Sequence, residues 1–202
     1  MDGKEMVAPS NLRIAAVSHS LVADRQKIFW NEVNLMTSFN VLQVGPKKWG
    51  VHRNDEGYSI SGDLEDMNTF TFGQDALRAI ESFRPDVLYC QNEAYCAVTT
   101  QMRILARRLG CKFVIFVWEN LHDYGPLAKE NLRDADLIVC GNGEAERLAR
   151  GYDHKTLRCI QVGVNQALFQ PAQIQKDYDI IFQGRKTTEK GYAVLEQAIQ
   201  GT

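Results

Sequence analysis

The sequence predicts an α/β protein built on a doubly wound parallel sheet. Short apolar runs rich in β-branched residues recur along the chain. A segment with apolar residues at helical spacing follows nearly every run, and no hairpin turn joins one run to the next in the regular part of the pattern. With 202 residues, 45% of them apolar, the chain can bury a full core.

Residues 1–11 read as a mobile lead-in. LRIAAVS at 12–18 is a continuous apolar run of the kind buried on both faces of a parallel sheet, and it ends at His19 and Ser20. DRQKIFWNEVNLM at 24–36 follows as a helix, with Asp24 as cap or first-turn acid and with Ile28, Phe29, Val33 and Met36 on one stripe. That stripe reads first as packing against the sheet and second, beside Lys47, Lys48 and Trp49, as a membrane contact. FNVLQVG at 39–45 is a second strand closed by Gly45 and Pro46. The next forty residues read as irregular, with short edge elements at 58–60 and 69–72.

The pattern then becomes regular. Helix 74–83 leads to strand 86–91, helix 97–109 to strand 112–118, helix 127–133 to strand 135–141, and helix 144–149 to strand 157–163. Pro85 starts one strand, and Gly110 stops the Arg-rich helix in a C-cap position. A candidate boundary falls in NQALFQPAQIQKDY at 165–178, after which DIIFQGRKTTEKG reads as strand, anion-binding loop and helix start. Free N–H groups at a helix start, with Gly184, Arg185 and Lys190, would form a phosphate or diphosphate site.

In parallel α/β sheets ligands bind beyond the carboxyl ends of the strands. The loops to inspect there are His19-Ser20, Gln91-Asn92-Glu93, Glu119-Asn120-Leu121-His122-Asp123 and Gly141-Asn142-Gly143. Glu93 reads equally as a reactive carboxyl and as a solvated loop acid. Glu119, His122 and Asp123 suit hydrogen bonds to sugar hydroxyls, or pin their own loop, and for His122 the structural role comes first. Asn142 reads first as a helix cap.

A net charge of −2 and the lack of a basic run argue against nucleic acid. No signal-peptide core or membrane-length apolar run is present, so the expected location is cytoplasmic, with a peripheral place at the inner membrane face as the variant. Five cysteines, odd in number and widely spaced, read as buried thiols of a reducing compartment, and no metal-ligand spacing is found.

The stretch QVGVNQALFQP followed by DIIFQGRKTTEKGYAVLEQAI resembles the linker and donor-domain opening of family 4 glycosyltransferases of GT-B fold, and ADLIVCGN is similar to that family's last acceptor-domain unit. The resemblance implies a Rossmann-like N-terminal acceptor domain over 12–164, a linker over 165–178 and the first strand and helix of a donor-binding domain over 179–202. It implies sugar transfer from a nucleotide-diphosphate sugar to a saccharide, lipid-linked or small-molecule acceptor, with retention, without a metal and without any cofactor.

By the resemblance Gly184, Arg185 and Lys190 would hold the donor diphosphate. Glu93 and Glu119 would be the catalytic candidates, and His19, Ser20, Gln91, Asn92, Asn120, His122 and Asn142 would face the acceptor. Gln91 stands where many members carry a histidine, and Gln carries no proton. The family's pair of glutamates eight positions apart has no counterpart, so the expectation is a truncated chain, inactive alone, whose unpaired terminal strand could self-associate. The alternative is a non-catalytic Rossmann-like binding or interaction module for a small anionic or sugar ligand.

Overall fold

Apolar residues on both sides of Arg13–Val17 make this segment, β1, an interior strand of the sheet: Ala15 and Val17 pack on one face, Ile14 and Ala16 on the other. The computed structural model describes residues 11–62, 66, 68–119, 125–152, 157–160, 170–171, 175, 177–184 and 186–200, except the side chains of Arg25 and Glu189. They fall into two units, Met1–Val162 and Gly163–Thr202.

In the first unit a 3-10 turn (His19–Val22) leads from β1 into α1 (Asp24–Met36) and β2 (Asn40–Val44). Two small antiparallel ribbons follow, β3 (Lys48–Trp49) with β4 (His52–Arg53) and β5 (Ile60–Ser61) with β6 (Thr71–Phe72). The chain continues through α2 (Gln74–Phe83), β7 (Val87–Cys90), α3 (Ala97–Leu109), β8 (Lys112–Val117), α4 (Gly125–Asp134), β9 (Leu137–Cys140), α5 (Gly143–Arg150) and β10 (Leu157–Cys159).

Six strands form one parallel sheet in the order β10-β9-β8-β7-β1-β2. The chain steps from β1 to β2 in one direction, then from β7 to β10 in the other. Right-handed crossovers therefore put α1 on one face and α3, α4 and α5 on the opposite face. The larger core packs Leu88, Ile115 and Ile138 of the sheet against Ile80, Met102, Leu132 and Ala145 of α2 to α5. This is an α/β, Rossmann-like fold with a single switch point between β1 and β7.

Three expectations are corrected here. First, Ile28, Phe29 and Met36 of α1 point away from the sheet at 52, 60 and 81% exposure, and Trp30 and Val33 face it. Strand β1 offers only Ile14 and Ala16 on this face, and the Trp30 indole fills the space above them, meeting the Tyr89 ring edge-on at 5.1 Å. Second, KKWGVHR is not irregular. It forms the β3–β4 hairpin, for which Gly50 supplies the left-handed residue (φ +57°) that a two-residue turn requires. Third, Cys159 is an exposed thiol on the edge strand; Cys90, Cys96 and Cys140 are buried as expected.

In the second unit, a 3-10 turn (Thr188–Lys190) precedes α6 (Tyr192–Gln200). The strand expected at 180–183 is not formed: among the described residues no strand pairs with it, and Ile180 and Ile181 are exposed. A strand needs a neighbour to take its backbone N–H and C=O groups, and an apolar sequence alone does not supply one.

Candidate functional site

The crevice where the strand order reverses lies beyond the carboxyl ends of β1 and β7, and it brings two of the four inspected loops together. Ser18, almost wholly buried, fixes them. Its Oγ accepts from the backbone N–H of Ser20 at 3.1 Å, donates to the Gln91 carbonyl at 2.9 Å, and lies 2.8 Å from Ser20 Oγ. In the sequence Ser18 reads only as the end of a strand. Gln91 enters the network through its backbone, its N–H bonding to the Val17 carbonyl at 2.8 Å.

His19 Nδ1 and Asn92 Oδ1 are 2.7 Å apart. Asn92 is buried and its Nδ2 donates to Cys90 Sγ at 3.7 Å, so Oδ1 is the atom left to accept from His19. The imidazole thus carries its proton on Nδ1 and a lone pair on Nε2. Burial holds His19 below the usual imidazole range; the Asn92 bond works the other way and is the smaller effect. His19 is a neutral acceptor at physiological pH. Its ring lies 5.0 Å from Trp49 of β3 and 6.4 Å from Phe70, an aromatic wall that no sequence motif announced beyond the Trp-Gly turn itself.

Glu93 is largely buried, which removes its reading as a solvated loop acid. Its Oε1 accepts from the backbone N–H groups of Trp118 at 2.8 Å and Glu119 at 3.1 Å, clamping the end of β8 to the loop after β7. Its Oε2 is buried without a hydrogen-bond partner among the described residues. Burial pushes the carboxyl up to about 7, the two amides oppose the shift, and the nearby Glu119 charge adds to it. Tyr95 Oη donates to Glu119 Oε2 at 3.3 Å, and burial raises the Tyr95 phenol as well. The loop after β7 is held from below by Thr99 Oγ1, which donates to the Glu93 carbonyl at 2.8 Å, and by the buried Asn131, which donates to the Ala94 carbonyl at 2.7 Å.

Asn142 caps α5 by accepting from the Ala145 N–H at 2.8 Å, and its Nδ2 donates to the Trp118 carbonyl at 3.0 Å. Gly141 does not open space for a ligand. A Cβ there would stand 1.9 Å from the Trp118 ring, so the glycine is required by the indole. Asn120 and His122 lie outside the described residues, as does Arg185. In the second unit Gly184 precedes the turn and Lys190 ends it, exposed, just before α6.

The structure therefore brings together His19, Ser20, Gln91, Asn92 and Glu93, and joins Glu119 and Asn142 to them through the end of β8. A neutral imidazole acceptor, an aromatic wall and two acidic groups suit a hydroxyl-bearing ligand. Among the described residues no three His, Cys, Asp or Glu side chains gather as a metal-binding group.

No family model matches the chain, and no curated protein does. The solved structures similar to it in part include the following two. A conserved protein from Enterococcus faecalis V583 is 10% identical, with a TM-score of 0.35 over 75% of this chain and 92% of that one. A carbohydrate kinase from Agrobacterium tumefaciens is 14% identical, with a TM-score of 0.34 over 74% of this chain and 55% of that one.

Proposed function

We propose that the first unit is the acceptor-binding domain of a glycosyltransferase that moves a sugar from a nucleoside-diphosphate sugar to a hydroxyl of its acceptor. The observation that carries this reading is the His19–Asn92 pair at the switch point, which leaves a neutral Nε2 to accept from an acceptor hydroxyl. The linker and donor-opening motifs, which resemble those of family 4 glycosyltransferases, support the transferase reading over simple sugar binding.

In this reading His19 orients the acceptor hydroxyl, and Ser20, Gln91 and Asn92 line its place. Glu93, whose carboxyl ionises near neutrality, and Glu119 exchange protons and hydrogen bonds with the acceptor. The leaving diphosphate gains negative charge as the glycosidic bond breaks. Arg185 and Lys190, with the N–H groups at the start of α6, would stabilise that charge without a metal. Retention of configuration belongs to the same proposal.

Saturation-transfer NMR with uridine, guanosine and adenosine diphosphate sugars, and with free saccharides, tests it. The expected result is saccharide contact that disappears in His19→Ala and Asn92→Ala, and nucleotide contact that weakens about tenfold in Lys190→Ala. Saccharide binding with no nucleotide binding would favour a non-catalytic module. If neither ligand bound at millimolar concentration, the reading would fail.

A further inference from the structure

Strands β9 and β10 set two thiols side by side. Cys140, the last residue of β9, and Cys159, the last of β10, are register partners in the parallel sheet. Two residues back along each strand Ile138 pairs with Leu157, and both belong to the larger core. Side-chain alternation therefore turns Cys140 and Cys159 to that same face, the one that α5 covers. Partners in neighbouring strands have Cα atoms about 4.8 Å apart, inside the span of about 4.4–6.8 Å that a disulfide bridges. Both thiols are free.

The two sulfurs differ in access: Cys140 is buried and Cys159 is exposed. Glu146 of α5 borders both. Its carboxylate accepts from the Cys159 thiol, its charge acts on Cys140, and Arg150, one turn along the helix, pairs with it. The other three cysteines are engaged elsewhere. Cys90 Sγ lies against Asn92 and Thr99, Cys96 Sγ donates to Asn68, and Cys111 Sγ donates to the Ala106 carbonyl.

We propose that Cys140 and Cys159 are a thiol–disulfide pair, closed by a small disulfide of the glutathione type into a bond that fastens β10 to β9. Strand β10 has three residues and, among the described residues, pairs on one side only, so a covalent link to β9 changes how firmly it is held. The Cys159 thiolate attacks the small disulfide, forming a mixed disulfide and releasing one small thiol. The Cys140 thiolate then attacks the Cys159 sulfur, forming the internal bond and releasing the second small thiol. Two electrons pass from the protein to the small disulfide, and the two protons lost by the cysteines are balanced by those of the two released thiols. The bond stands at the root of the loop carrying Gly141 and Asn142, and it is independent of the sugar-transfer reading.

Desolvation pushes Cys140 up to about 12, with Cys159, Glu146 and Glu93 adding to the shift and Arg150 opposing it. Desolvation and Glu146 raise Cys159 as well. The exchange is therefore slow at neutral pH, and its rate should climb about tenfold per pH unit as thiolate forms.

The test is incubation of the full chain with oxidised glutathione, followed by peptide mass spectrometry without reduction. The expected product is a Cys140–Cys159 cross-link that dithiothreitol reverses, absent in Cys159→Ser and Cys140→Ala and retained in Cys111→Ser. Cys159→Ser alters an exposed position and serves as the control if Cys140→Ala does not fold. Oxidation should slow deuterium exchange of the β10 amides about tenfold or more, and should not do so in Cys159→Ser. No cross-link at about pH 9 would overturn the proposal, as would a glutathione adduct on Cys159 that never resolves. A dimer linked through Cys159, or a bond to Cys111, would overturn it in favour of an isolated surface thiol. An internal bond that leaves β10 exchange unchanged would remove the fastening role.

Discussion

At the scale of single residues, the site rests on groups held away from their ordinary ionisation. Glu93 is raised from its ordinary 4.5 to about 7, so the folded protein keeps its proton where the unfolded chain has lost it. Its contribution to stability is complete below pH 4.5 and is lost as pH rises to about 7. In Glu93→Gln, which keeps an acceptor for the two backbone N–H groups, the loss of stability between pH 5 and 8 should shrink by roughly 2 kcal/mol. Urea denaturation at both pH values measures it, and an unchanged pH dependence would remove Glu93 from this role. For His19, whose folded value is lowered, stability is present above its ordinary 6.5 and is lost as pH falls through the lowered value. Ring NMR titration should show His19 retaining its neutral form below pH 6.5. Gly141→Ala should cost about 1–3 kcal/mol, because the new Cβ displaces the Trp118 indole, and tryptophan emission should shift as the ring moves.

At the scale of elements, α1 shows how little one periodic pattern says about which side it buries. Apolar residues occur on two sides of this helix: of the stripe Ile28, Phe29, Val33 and Met36 that the spacing offers, only Val33 packs on the sheet, and the fold buries Trp30 beside it. The existence of the helix was legible, since Asp24–Met36, Gln74–Phe83 and Ala97–Leu109 span the segments that apolar spacing marks, with Asp24 as a first-turn acid and Gly110 closing the last of them in the left-handed region. Its orientation was not, because that depends on the small residues of β1 and the Tyr89 ring, far away in the chain. Trp30→Ala should cost about 3 kcal/mol or more in equilibrium unfolding, and Phe29→Ala less than about 0.5 kcal/mol. The reverse order would restore the stripe first expected. The β3–β4 hairpin was missed for a related reason: two residues per strand give no alternation to read, and the signal reduces to the tryptophan and glycine at its turn.

At the scale of the whole molecule, the switch point gathers residues that are 73 positions apart, Ser18 with Gln91 and His19 with Asn92. Amides of β1, β7 and β8, paired on both sides within the sheet, should exchange most slowly with deuterium. Those of α6, which buries no residue, should exchange fastest among the helices. Slow exchange along α6 would show a packing partner that its exposure does not suggest.

Sequence by itself determined the alternation of strands and helices, the parallel sheet that follows from it, and the loops that had to be inspected, because periodicity and capping act between residues a few positions apart. Tertiary structure alone decided that the loops after β1 and β7 meet, that Glu93 is buried rather than solvated, that Gly141 makes room for Trp118, and that 180–183 is not a strand. Each of these depends on strand order and on neighbours brought from distant parts of the chain. Local spacing does not encode them.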